Sequence, residues 1–118
     1  MPPGANDPGR FIPLTPLDFQ VLTLLATREL HGYGIVQASA DAFPGQPALD
    51  LGSLYRIISR MLGDRLIHEV KAPQDAPGDK RVRRYYTVTN LGRAVARAEA
   101  ARLRALLASA ATLVLLES

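Results

Sequence analysis

The C-terminal stretch, residues 90–116, limits the possible folds more than any other part of the chain. Thr89 can cap a helix that runs from Asn90 to near Leu116. At 1.5 Å per residue that helix is roughly 40 Å long. A compact core of about 75 residues is only about 25–30 Å across, so the helix must overhang the body. Its far end is the most apolar part of the sequence, with Leu103, Leu106, Leu107, Leu113, Val114, Leu115 and Leu116. Each such side chain gains about 1.5–3 kcal/mol on full burial, so leaving them all in water is costly. The simplest cover is a second copy of the chain, touching Leu103, Leu106, Leu107, Ala110, Leu113 and Val114. A membrane-surface helix is the weaker alternative, because residues 108–111 dilute the apolar face and nearby basicity is low.

Residues 51–67, LGSLYRIISRMLGDRLI, supply the second constraint. Leu54, Ile57, Ile58 and Met61 recur at three- and four-residue spacing and mark the core face of a helix. Ser53, Tyr55, Arg56, Ser59 and Arg60 gather on the other face. Arg56 and Arg60 are four apart and project from one side, with no acid to balance them before Asp64. One side is built for a core and the other for a polyanion. Asp50 is placed to cap this helix, which is expected to end around residues 63–65.

Composition narrows the function. The 118 residues suffice for one domain, and a hydrophobic content of 47% argues against general disorder. Net charge is only +3, yet residues 80–97 carry six cations (Lys80, Arg81, Arg83, Arg84, Arg93, Arg97) and no acid. Such a block attracts phosphate, the alternative being a solvated charged face. The absence of cysteine removes disulfides, thiolate nucleophiles and zinc fingers. Two distant histidines give no metal-ligand spacing, so neither metal nor cofactor is expected. No nucleophile–base pair or phosphate loop is present, which speaks against an enzyme. The longest uncharged apolar run, residues 105–116, falls short of the roughly 20 residues that span a bilayer. Without a secretory signal either, the expectation is a soluble cytoplasmic protein with no membrane partner.

In chain order, residues 1–13 hold four prolines and two glycines and read as a flexible tail, with Phe11 and Ile12 touching the body. A basic arm is the alternative there, but Arg10 is its only cation. Thr15, Pro16 and Asp18 then start a helix with a capping-box-like spacing. Leu17, Val21, Leu24 and Leu25 form its buried stripe, flanked by Phe19 and Leu22, and it should end before Gly32. His31-Gly32-Tyr33-Gly34 opens a second helix reaching about Phe43, with Ile35, Val36 and Ala40 inward. His31 reads as a surface or turn residue, and Gly32 as the turn between two helices. The paired glycines do not complete a dinucleotide loop, because Gln37 stands where its third glycine would be. After Pro44-Gly45-Gln46-Pro47, residues 48–50 read as a brief extended segment. Residues 66–71 and 82–89 alternate as two strands of a hairpin with a polar tip at 72–80. On the second strand Val82, Arg84, Tyr86 and Val88 share a face, and on the first His68 is a partly exposed strand residue.

The fold class is therefore mainly α with a small β-hairpin: a winged helix-turn-helix over 14–89, then a C-terminal dimerisation helix over 90–118. In such folds the third helix enters the major groove and the hairpin reaches the neighbouring backbone. The Arg56/Arg60 face and the Lys80–Arg84 hairpin root would then lie on the same duplex, each neutralised phosphate contributing to salt dependence.

Four segments in this order, LTPLDFQVLTLL, HGYGI, GSLYRIISRM and RRYYTVTNLGR, make the chain resemble the PadR family of bacterial transcriptional regulators. The match runs from Leu14 to about Arg93. Leu54-Tyr55 and the pattern Tyr85, Tyr86, Thr89, Gly92 are its more specific parts. A single C-terminal helix resembles the family's shorter branch, whose members are homodimeric repressors often relieved by small phenolic or hydrophobic ligands. The resemblance implies double-stranded DNA as partner, with Tyr55 on its backbone. Ser53, Arg56, Ser59 and Arg60 would join it from the recognition helix, and Lys80, Arg81 and Arg83 from the wing. Arginine is the residue type best suited to guanine. Tyr85 and Tyr86 read as structural. Two features depart from the pattern. The family's acidic run ending in glycine is replaced by Leu62, Gly63 and Arg65, and the last helix lacks the tryptophan with which some members stack planar ligands. The expected function is a sequence-specific DNA-binding regulator, a homodimeric repressor with a small hydrophobic effector. The alternative is a winged-helix module that binds protein and no DNA.

Overall fold

Thr15 begins the first helix as its spacing predicts. Its hydroxyl accepts a hydrogen bond from the Asp18 amide at 3.1 Å, and Pro16 occupies the first helical position. The computed structural model describes residues 6–73 and 83–118. Its elements are α1 (Pro16–Thr27), β1 (Leu30–His31), α2 (Gly32–Ala42), α3 (Leu51–Gly63), β2 (Ile67–Val70), β3 (Tyr85–Val88), α4 (Asn90–Ala108) and α5 (Ala110–Glu117). Ahead of α1, Pro8–Phe11 form a 3-10 turn capped by Asp7, and Phe11 and Ile12 pack against the core as expected.

The core gathers Leu22 and Leu25 of α1, Ile35 of α2, Leu54 and Met61 of α3, Ile67 of β2 and Val95 of α4, all essentially inaccessible. Helix α1 is buried on more than a stripe: Asp18 and Gln20 are also inside, and Ser39 of α2 donates to Gln20 Oε1 at 2.8 Å. Ala40, expected inward, is exposed; Ala38 and Ser39 fill that side of α2 instead.

The sheet corrects the expected element order. Residues 48–50 form no strand and serve to bury Leu49. The third strand is β1, and the antiparallel order is β1-β3-β2, with Leu30 opposite Tyr86 and Ile67 opposite Val88. Both hairpin strands are shorter than the alternation suggested, and Arg84 is exposed just ahead of β3. Tyr85 is buried as deeply as Tyr86, because β1 covers that end of the strand. Val82, Lys80 and Arg81 lie outside the described residues.

The C-terminal helix is not continuous. Ser109 adopts extended angles (φ −65°, ψ 147°) and ends α4 while capping α5 through its hydroxyl and the Thr112 amide. A serine that bonds nearby backbone offers the chain an alternative to the helical ladder. The 19 residues of α4 span roughly 28 Å, shorter than a single unbroken helix. None of the helices among the described residues is long and apolar enough to cross a membrane.

Candidate nucleic-acid interface

Helix α3 divides as its sequence does. Leu54, Ile57, Ile58 and Met61 are buried, and Tyr55, Arg56, Ser59 and Arg60 are exposed. Asp50 caps it, accepting from the Ser53 amide at 2.8 Å and from the Ser53 hydroxyl at 2.9 Å. These bonds, more than the nearby charge of Arg56, hold the Asp50 carboxyl below its ordinary range. Ser53 thus gives its only hydroxyl proton to the cap. Ser59 stays on the open face between the two arginines. Arg60 turns aside to Asp18 of α1, its Nη2 2.6 Å from Oδ1.

Beside α3 a cleft of about 430 Å³ is lined by His31, Gly32, Tyr33, Tyr55, Arg83, Arg84 and Tyr86. None of these residues is acidic. Gly32 lies close under Tyr55: a β-carbon on it would stand 3.1 Å from the Tyr55 hydroxyl, tighter than an ordinary contact. His31 is the N-cap of α2: its Nδ1 accepts from the Gly34 amide at 3.1 Å, and its ring stands edge-on to Tyr85. Arg83 Nη1 lies 3.2 Å from His31 Nε2 and so links the wing root to the start of α2. Partial burial, with Arg83 second, lowers the His31 pKa.

Away from the cleft's lining, Leu103 is half-buried and borders an apolar groove of about 640 Å³ shared with Leu14, Phe19 and Phe43. Leu106, Leu107, Ala110, Leu113 and Val114 are exposed. Glu99, 1% exposed, sits at the groove, where it accepts from the Leu14 amide at 2.8 Å and pairs with Arg102. Among the described residues no group of acids and histidines could hold a metal ion.

The model of the "Transcriptional regulator PadR-like family" matches residues 21–98. The chain belongs to this family. Its members regulate transcription and are not enzymes. Among solved structures, a PadR family transcriptional regulator from Eggerthella lenta is 26% identical, with a TM-score of 0.63 over 83% of this chain and 80% of that one. A PadR family regulator from Clostridium difficile is 22% identical, with a TM-score of 0.63 over 78% of this chain and 91% of that one. The Bacillus subtilis PadR in complex with operator DNA is 19% identical, with a TM-score of 0.57 over 75% of this chain and 47% of that one. No curated protein matches the sequence. These likenesses establish the winged-helix fold of the PadR-like chain.

The cleft holds two residues that sequence reasoning left out of the interface. Tyr33 is exposed beside Tyr55, and His31 joins the wing root to α2. The HGYG segment carried the signal for both, since an N-cap histidine places its neighbours at a helix start. The pairing of Asp18 with Arg60 had no such signal.

Proposed function

We propose that this PadR-like chain binds double-stranded DNA as a homodimeric repressor, with α3 in the major groove of each half of a roughly palindromic site. The acid-free cleft carries this reading: Tyr55 of α3 and Arg83 and Arg84 of the wing root border one space with His31 and Tyr33. Arg56 and Ser59 extend that face along α3. Phosphate oxygens would accept from the exposed Arg83 and Arg84 guanidinium groups. Lys80 and Arg81 would lengthen the wing's reach. The operator complex of the Bacillus subtilis relative supports DNA as the partner class.

Two copies meet through Leu103, Leu106, Leu107, Ala110, Leu113 and Val114. A small hydrophobic effector fits the groove of Leu14, Phe19, Phe43 and Leu103, where its binding would bear on both α1 and α4. Selection of bound sequences from a random duplex pool at two salt concentrations tests the reading. The expected result is an enriched site with two half-sites related by a dyad, bound more weakly at higher salt. No enrichment, together with a salt-insensitive protein partner, would favour the interaction-module alternative.

A further inference from the structure

Arg60 looks like a DNA contact from sequence, because it shares the outer face of α3 with Arg56. Its surroundings give it another role. The Arg60 guanidinium meets Asp18 at 2.6 Å, joining two helices whose residues are 42 apart in sequence. Asp18 is only 8% exposed, and among the described residues no other side chain bonds its carboxylate. The Arg60 side chain is itself half exposed, while that of Asp18 is mostly buried. Drawing Arg60 onto a phosphate would leave the Asp18 carboxylate without its side-chain partner, a larger loss than breaking a pair exposed on both sides. Asp18 also lies in the first turn of α1, where the helix dipole favours negative charge. Arg56, one turn earlier on α3, makes no ion pair among the described residues.

We propose that Asp18 withholds Arg60 from DNA, so that Arg60 is a positioning residue fixing the roll of α3 against α1. The inference rests on the DNA-binding reading above for its functional consequence. A free Arg60 would add a sequence-independent phosphate contact and loosen the helix that reads bases. Asp18 therefore favours specific over non-specific binding.

Titration of the full chain with a random-sequence duplex across salt concentrations tests this. Arg56→Ala is expected to flatten the log K against log salt slope by about 0.9. Arg60→Met, which keeps an apolar stem, leaves the slope unchanged. Asp18→Asn steepens it by about 0.9, as the released guanidinium takes up a phosphate. Flattening by Arg60→Met equal to that by Arg56→Ala overturns the proposal, as does a slope unmoved by Asp18→Asn. If the wild-type chain binds no duplex, the DNA reading fails and thermal unfolding decides the pairing. Asp18→Asn and Arg60→Met should each lower Tm, and the double variant should fall no further than the worse single one. Additive losses would refute the pair.

Discussion

Gly92 and Leu66 are so close that a β-carbon built on the glycine would stand 1.8 Å from the leucine's carbonyl oxygen. That oxygen accepts from the Thr89 amide at 3.0 Å, while the Thr89 hydroxyl donates to the Arg65 carbonyl and accepts from the Gly92 amide. The threonine and glycine three residues apart thus form one device: it caps α4 and seats its first turn on the link between α3 and β2. Because the obstacle is backbone, it cannot move aside like a flexible side chain. Gly92→Ala should cost about 3 kcal/mol in urea unfolding, at the upper end for overpacking. A loss below about 1 kcal/mol would mean that the helix start can slide.

Arg65 departs from the resembled pattern at a position where the backbone explains why glycine is preferred. It has φ 60°, with its amide donating to the Leu62 carbonyl and the Leu66 amide donating to Met61 at 2.9 Å. This is a Schellman closure, and its left-handed residue is most often glycine. The available glycine stands two residues early, at Gly63, inside the helix and with open space around it. Arg65→Gly should therefore stabilise the fold by about 1 kcal/mol, by relieving left-handed strain. Gly63→Ala should add a similar gain from helix propensity. Chemical denaturation of both variants and their combination checks this, and a loss in either contradicts the assignment of strain.

What the sequence revealed was local. Thr15, Asp50 and Thr89 cap the helices expected of them, because a cap needs only its own next three residues. The buried face of α3 was legible for the same reason. The pairs Asp18–Arg60 and Leu14–Glu99 were hidden, since they join residues 42 and 85 positions apart. Strand β1 is two residues long and has no periodicity to detect. The break at Ser109 was masked by the flanking alanines and leucines, whose helix propensity outweighs one serine in any pattern count. At the site, the helix face could be read from spacing. Which of its arginines is held by an acid could not, because Arg60's partner lies on another helix.

Glu99 ties the start of α1 to α4 and should make stability depend on acid. Its bonds from Arg102, and then from the Leu14 amide, outweigh burial and hold its carboxyl below the ordinary glutamate range. The unfolded chain therefore binds this proton more tightly than the folded one. The contribution is complete above the unfolded value near 4.3, and it is lost as pH falls through the lower folded value. Glu99→Gln should cost about 2 kcal/mol at neutral pH, the scale of hydrogen bonds to a charged group. The gap between the two proteins should close on acidification below about pH 4. Denaturant midpoints measured from pH 7 to pH 3 read this directly, and a gap that persists unchanged would place the role of Glu99 in packing rather than charge.

The last turn of α4 and all of α5 present apolar side chains to water: Leu106 is 51% exposed, Leu107 57%, Val114 66% and Leu115 72%. The break at Ser109 spreads this surface over two helices. In the homodimer proposed above, a twofold axis would bring the equivalent helices of the other copy onto it. Removing residues 103–118 takes away this whole surface while keeping Arg102 on Glu99 and every core residue of the winged unit. The full chain is expected to sediment as a dimer, and the shortened chain as a folded monomer with unchanged near-ultraviolet dichroism. Operator affinity should then fall to that of one half-site. A shortened chain that still sediments as a dimer would move the interface to the winged unit and leave the apolar arm for some other partner.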